Sequence, residues 1–185
     1  MSSFAAEWLA LREPYDLAAR NAAVLDAVAN AFLAQTSIAV ADLGCGTGAT
    51  LRAVGPHLPP RQSWRLVDNN LSLLAQVPTP APSPYVTVVT QPVDLARDLE
   101  LALDGPLDLV TTSALLDLVS SQWLDRFIIE AAARRLPVYA ALSYDGRIEI
   151  TPPDAADASM IDAVNRHQRT DKGFGPALGP DAARA

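Results

Sequence analysis

One short run carries the first sign of chemistry. In Ile38-Ala39-Val40-Ala41-Asp42-Leu43-Gly44-Cys45-Gly46-Thr47-Gly48-Ala49-Thr50-Leu51, an acid precedes three glycines at alternate positions. Such a run binds rather than reacts. The glycines let the backbone turn sharply and leave it bare for a ligand. A helix starting near Ala49 would aim its free N–H groups and positive end at the turn, where an anionic group or a carboxylate fits. Cys45 lies inside the turn. With no histidine nearby in sequence, it reads as a small side chain in a crowded place and not as a nucleophile. Two distant histidines, His57 and His167, and one cysteine make no ligand set of zinc spacing, so no metal is expected.

Two further acids follow at useful spacing. Asp68 ends the apolar run Trp64-Arg65-Leu66-Val67, about 20 residues past the last glycine, where nucleotide-binding folds place a carboxylate on ribose hydroxyls. The other reading makes Asp68 a helix cap, a service that Asn69 and Asn70 already offer. Asp94 follows the β-branched run Tyr85–Thr90. It can cap the next helix, and it can also face a base from a strand's C-terminal end, where open α/β sheets bind ligands. Groups able to take a proton near such a site are Ser113 and Asp117 after the run Leu107–Ser113, and Tyr144 and Asp145 after Val138–Ser143. His167, beside Asn165 and Arg166 on a late helix, is a more distant candidate.

The elements that must position these residues alternate strand and helix. Ile38–Leu43 is an apolar run bounded by glycine, as suits a strand covered on both faces. Helices are predicted over 49–55, stopped by Gly55-Pro56, and over Leu95–Leu103, stopped by Gly105-Pro106. A third runs from Gln122 to Arg135, capped by Ser120 or Ser121, with Trp123, Leu124, Phe127, Ile128 and Ala131 on its buried face. A polar helix spans Asp154 to His167, and Asp145-Gly146 predicts a tight turn into a short strand over Arg147–Ile150. Before the glycine turn, Phe4–Leu33 reads as two helices, the first ending near Arg12 because Pro14 disfavours helix at the residue before it. Leu17, Val24, Leu25, Val28 and Phe32 give the second an apolar stripe. This N-terminal pair is positioned to cover the ligand site, with Arg12, Tyr15 and Arg20 as its polar contacts, or to serve as plain core cover. Pro78–Pro84 is a loop within the domain. The fold class is α/β: a Rossmann-like, doubly wound, mostly parallel sheet with helices on both faces and an N-terminal helical cover.

Length and charge narrow the rest. The 185 residues suit one domain, 1–185, divided into a helical lid (1–35), a cofactor-binding core (36–151) and a C-terminal helix and loop (152–185). Half the residues are hydrophobic, which excludes a disordered chain. A net charge of -7 argues against general binding of nucleic acid or of anionic membranes. No stretch is apolar for long enough to span a bilayer. The lone cysteine and the Met1–Glu7 start, which lacks a signal peptide's features, predict a cytoplasmic protein.

Two ligands suit this arrangement, a nicotinamide dinucleotide and S-adenosylmethionine. Gly44-x-Gly46-x-Gly48 is one residue tighter than the dinucleotide pattern. Asp42–Gly48 resembles the first motif of class I S-adenosylmethionine-dependent methyltransferases, and Leu66–Asn70 resembles their second. Val93-Asp94-Leu95 falls where their adenine-contacting acid sits, and Asp108–Leu118 is similar to the segment bordering their methyl-transfer site. The resemblance spans about Thr36 to Ser143. It implies that the glycine turn wraps the methionine portion and that Asp42 orients its amino group. It also implies that Asp68 binds the ribose and Asp94 the adenine. Cys45, Asn69, Leu95, Thr111 and Ser113 complete the expected cofactor-binding set, with Asp117, Tyr144 and His167 as candidate catalytic residues.

The family's sheet has seven strands. Here five are read, plus Arg147–Ile150, so the last family strands are missing, either because the chain is shortened at its end or because the protein lacks them. The fifth strand then lies near an edge open to pairing, which makes a homodimer an expectation. No Asn-Pro-Pro-aromatic segment follows the fourth strand, which argues against methylation of DNA bases. The expected activity is methyl transfer to a small-molecule acceptor. The alternatives are an NAD-dependent oxidoreductase, disfavoured by the lack of a Tyr-x-x-x-Lys pair, and a non-catalytic cofactor-binding partner module.

Overall fold

The computed structural model describes residues 5–78 and 85–184. The first four residues and the proline-rich stretch 79–84 lie outside the described residues. The elements in order are α1 (Ala6–Ala19), α2 (Ala22–Ala31), β1 (Ser37–Leu43), α3 (Ala49–Val54), β2 (Arg61–Asp68), α4 (Leu71–Leu74) and β3 (Val86–Pro92). They continue with α5 (Leu99–Ala102), β4 (Leu109–Ser113), α6 (Ser121–Ala133), β5 (Val138–Ala141) and α7 (Asp157–Gln168). The strands form one sheet in the order β3-β2-β1-β4-β5, parallel throughout. The chain winds outward from β1 to β3, then crosses back to β4 beside β1. The order therefore reverses between β1 and β4, the place where open α/β sheets form a crevice at their C-terminal ends.

Two apolar clusters hold the sheet from either side. Leu25 of α2 and Phe32 just after it, Ala53 and Val54 of α3 and Leu74 of α4 pack with Val40, Trp64, Leu66, Leu109 and Tyr139 on one face. On the other, Leu99 and Ala102 of α5 and Trp123, Leu124, Phe127 and Ala131 of α6 pack with Leu43, Val67 and Val110. The side-chain alternation of β1 supplies both clusters, with Val40 to one face and Leu43 to the other. Helices on both faces of a parallel sheet give the Rossmann-like architecture expected from the sequence.

Several local expectations need correction. The first helix does not end near Arg12. It runs through Pro14 to Ala19, and the Arg12–Asp16 ion pair (2.7 Å), one turn apart, bridges the position where proline removes a backbone donor. Leu17 and Val24 are exposed, so the stripe reduces to Leu25, Val28 and Phe32. Leu95–Leu103 is helical only over α5, because Asp94 first turns the chain with its Oδ1 accepting from the Ala96 N–H at 3.0 Å. Ile128 lies on the exposed side of α6. The Arg147–Ile150 strand does not form. Asp145 accepts from the Arg147 N–H in a local turn (3.0 Å), and the chain then continues unpaired towards α7. Among the described residues the sheet has five strands and β5 is an edge.

Candidate functional site

The glycine turn links β1 to α3 at the reversal point. The Cys45 N–H donates to the Val67 carbonyl of β2 (3.0 Å) and the Gly48 N–H to the Cys45 carbonyl (2.8 Å), closing the turn. Gly46 and Gly48 adopt φ of +53° and +82°, a region that penalises any side chain. Space matters as much as conformation. A Cβ on Gly46 would stand 3.1 Å from Leu9 Cδ1 of α1, and one on Gly44 would stand 3.4 Å from Leu115 Cδ1 after β4. Cys45 is buried, and desolvation raises its thiol pKa, so it stays a neutral packing group.

Beside the turn lies a buried polar cluster. The Thr111 hydroxyl of β4 donates to Asp42 Oδ1 at 2.8 Å, while Asp42 Oδ2 has no hydrogen-bond partner among the described residues. Asp42 is fully buried, and desolvation pushes its pKa to about 7 against the pull of Thr111, of the Arg20 charge and of Thr50. Arg20, at the end of α1, donates to Ser113 Oγ (3.1 Å) and to the Tyr139 hydroxyl (3.3 Å), with its guanidinium 5.9 Å from the Tyr139 ring centre. Thr50 donates to the same Ser113 oxygen at 3.0 Å. The buried Arg20 Nε has no partner among the described residues. One cluster thus holds an acceptor oxygen and a donor nitrogen of opposite charge, both shielded and both unfilled. Thr50 and Tyr139 escaped the sequence reading. The signal for Thr50 was its place one residue inside the helix after the turn, and for Tyr139 the period of two along β5.

The other acids lie along the same sheet edge. Asp68 Oδ2 accepts from the Gly46 N–H and Oδ1 from the Asn70 N–H, each at 2.9 Å, so Asp68 ties the end of β2 to the glycine turn. Asn70 caps α4 by accepting from Ser72 and Leu73. Asp94 keeps its second oxygen towards solvent, 4.0 Å from Arg97 Nε. Leu95 is a core side chain, and its carbonyl accepts from Trp123 Nε1 at 2.6 Å. Asn69 is exposed.

The candidate proton acceptors divide. Asp117 is buried, its Oδ1 has no partner among the described residues, and desolvation raises its pKa against backbone N–H donors that include Tyr144 and against the Arg12 charge. Tyr144 donates to Asn165 Oδ1 at 2.8 Å, so α7 leans on the loop after β5. Asp145 is held below the usual carboxylate range by the Arg147 N–H and guanidinium. His167 is exposed on α7 with its Nε2 3.1 Å from Lys172 Nζ, and it does not join the cluster. His57 is exposed too. No three ligating side chains among the described residues are placed to share a metal ion, and no helix among them is long and apolar enough to cross a membrane.

Of the N-terminal helices, α1 reaches this edge, while α2 packs on the core through Leu25. Arg52 of α3 donates to both carboxyl oxygens of Glu13 on α1 (2.6 and 2.7 Å) and to the Thr47 carbonyl in the turn (2.7 Å). That pairing holds Glu13 below its ordinary pKa. Of the three lid contacts expected, only Arg20 reaches the cluster. Arg12 is paired with Asp16 and Tyr15 points to solvent.

No protein-family model matches the sequence, and no curated protein matches it significantly. Among solved structures, a cyclopropane-fatty-acyl-phospholipid synthase-like protein from Lactobacillus casei is similar over 93% of this chain and 72% of its own, with 17% identity and a TM-score of 0.51. An S-adenosylmethionine-dependent methyltransferase from Mesorhizobium loti is similar over 68% of this chain and 56% of its own, at 20% identity and a TM-score of 0.43. CalO1, a methyltransferase in calicheamicin biosynthesis with S-adenosylhomocysteine bound, is similar over 76% of this chain and 40% of its own, at 21% identity and a TM-score of 0.42. The chain therefore spans less than two thirds of the length of the latter two. The first likeness fixes the Rossmann-like fold; the function is argued from the site itself.

Proposed function

We propose that this chain is an S-adenosylmethionine-dependent methyltransferase of class I that acts on a small-molecule acceptor. The observation that carries the reading is the pair of unfilled buried atoms, Asp42 Oδ2 and Arg20 Nε. A buried acceptor and a buried donor left open in one cluster each carry a desolvation penalty that a ligand removes. Together they complement a zwitterion, an ammonium for Asp42 and a carboxylate for Arg20, as found in the methionine portion of the cofactor. The left-handed backbone at Gly46 and Gly48 forms the tight turn beside these two atoms, a conformation that penalises any side chain. A dinucleotide offers no ammonium for Asp42.

In this reading Asp42, Arg20 and Ser113 hold the amino-acid end, and Thr111 and Thr50 fix the Asp42 carboxyl and the Ser113 hydroxyl in place. Asp68 and Asp94 serve the ribose and the base, with Asp68 exchanging its contact with Gly46 for sugar hydroxyls. When bound, the cofactor supplies an activated methyl group, so the protein's task is alignment and exclusion of water. Asp117, buried with an unfilled oxygen after β4, is the residue here best suited to accept a proton from the acceptor. The exposed edge of β5 supports pairing between two copies, and the reducing environment inferred from Cys45 fits the cytoplasm.

Calorimetric titration tests the reading. S-adenosylhomocysteine binds and NAD does not; Asp42→Asn and Arg20→Gln each abolish or sharply weaken that binding while the far-ultraviolet spectrum is kept. Tight NAD binding, or unchanged S-adenosylhomocysteine binding in both variants, overturns it.

A further inference from the structure

We propose that the first half of α1 is a built-in competitor for the glycine turn. Leu9 covers the face of Gly46 that a ligand must reach, and binding requires the segment 6–13 to swing away about Pro14 while Arg20 stays in the polar cluster. The proposal rests on reading Gly44–Gly48 as the cofactor turn.

Three observations carry it. First, Leu9 Cδ1 stands 3.1 Å from where a Gly46 Cβ would be, and nothing else among the described residues lies within 4 Å of that point once chain neighbours are set aside. The bare face of Gly46 is therefore covered by one leucine. A small cleft remains between α1 and α3, lined by Glu13, Leu17, Arg20, Ala49 and Arg52.

Second, α1 is lightly held. None of its residues is buried, and Trp8, Leu11, Tyr15 and Leu17 are exposed. A helix gains most of its stability in a protein from packing an apolar face, and this one packs little. Its polar fastenings are the Glu13–Arg52 pair and, at the far end, Arg20 on Ser113 and Tyr139. Elements that move on ligand binding come from the least stable parts of a fold.

Third, the two ends are separable. Leu9 and Arg20 lie on opposite sides of Pro14. Proline cannot donate to the carbonyl one turn earlier, so between the part that blocks and the part that binds the helix lacks a backbone hydrogen bond and relies on the partly exposed Arg12–Asp16 pair. The covered state and the ligand thus compete for one surface, and the apparent affinity is the intrinsic one multiplied by the open fraction.

The test measures S-adenosylhomocysteine binding by calorimetry for the full chain and for Leu9→Ala, Glu13→Gln and Pro14→Ala. It also follows tryptic cleavage after Arg12. Because α1 buries no side chain, the three variants keep the fold. Leu9→Ala and Glu13→Gln are expected to bind at least about fivefold tighter, and Pro14→Ala, which restores the missing donor, to bind more weakly. Cleavage after Arg12 is expected to quicken in Glu13→Gln and in the unaltered chain saturated with S-adenosylhomocysteine. Equal or weaker binding by both Leu9→Ala and Glu13→Gln makes Leu9 a supporting wall and overturns the competitor. Unchanged binding by Pro14→Ala overturns the pivot. If no chain binds S-adenosylhomocysteine at all, the cofactor reading falls and takes this one with it.

Discussion

In β1 every residue from Val40 to Leu43 is buried, and in β4 every residue from Leu109 to Thr112, whereas in α1 none is. The two regions meet at the glycine turn. The strands hold Asp42 and Thr111 in a fixed hydrogen bond with packed apolar layers above and below. The helix touches the same place through one leucine and two arginine contacts. A binding site needs a floor that does not move and a cover that does, and burial separates the two. Affinity is set by the floor, and access by the cover.

The sharpest way to break the comparison is to make the same substitution on each side of it. Trp123 on α6 is buried, stacks on Phe127 at 5.5 Å and edge-on to Phe174 at 5.6 Å, and donates to the Leu95 carbonyl. Trp123→Ala is expected to destabilise the fold by about 3–5 kcal/mol, measured by urea unfolding. A loss below about 1 kcal/mol would deny that this layer is a packed core.

Asp42 gives the next largest effect, and its sign is fixed by linkage. Burial raises its pKa to about 7, far above the range of an unfolded aspartate. Between about pH 4 and 7 the folded chain keeps a proton that the unfolded chain has released, so stability falls as pH rises. Asp42→Asn is expected to flatten that slope and to be more stable than the parent at pH 8 by on the order of 3 kcal/mol, while losing S-adenosylhomocysteine binding. In the parent, an ammonium ligand favours the ionised carboxylate, so affinity rises with pH up to about 7. Calorimetry at pH 6 and pH 8 checks this. An affinity that does not change between them removes Asp42 from the ammonium contact.

A third substitution acts where floor and turn join. Asp68→Ala strands the N–H groups of Gly46 and Asn70. Two partly exposed donors without their carboxylate give an expected loss of about 2 kcal/mol in thermal unfolding, together with weaker S-adenosylhomocysteine binding. Lost stability with unchanged binding would make Asp68 a strut only.

How much of this was legible beforehand follows the same division. Short runs such as Ile38–Leu43 and Leu107–Ser113, alternating with helical segments, made the parallel sheet legible, because strands covered by helices on both faces carry apolar residues without strict alternation. The sharp turn at Gly44–Gly48 was readable from the spacing of its glycines, and it is made with positive φ at Gly46 and Gly48. Arg20, Thr50 and Tyr139 could not be assembled in the same way, since they come together only when distant segments fold onto one sheet edge. The first helix was read as ending before Pro14 because local rules count the lost donor and cannot see the Arg12–Asp16 pair that holds α1 together across it, or the Glu13–Arg52 pair that ties it to α3. The Asp145-Gly146 hairpin failed for a related reason. The turn formed, but Tyr144 bonded to Asn165 of α7 and no strand partner was left beside it.

The smallest expected effect completes the pair begun with Trp123. Trp8 lies on α1, one residue before Leu9, with 48% of its surface exposed. Tryptophan is large enough that losing even a modest packed fraction would register in unfolding. Trp8→Ala is nonetheless expected to change stability by no more than about 0.5 kcal/mol, because it lies outside both apolar clusters and no core layer depends on it. The substitution leaves Leu9 in place, so S-adenosylhomocysteine affinity is expected to stay within about twofold. A loss of more than about 1 kcal/mol in urea unfolding would mean that α1 is part of the fixed floor, and the division between cover and floor would have to be redrawn.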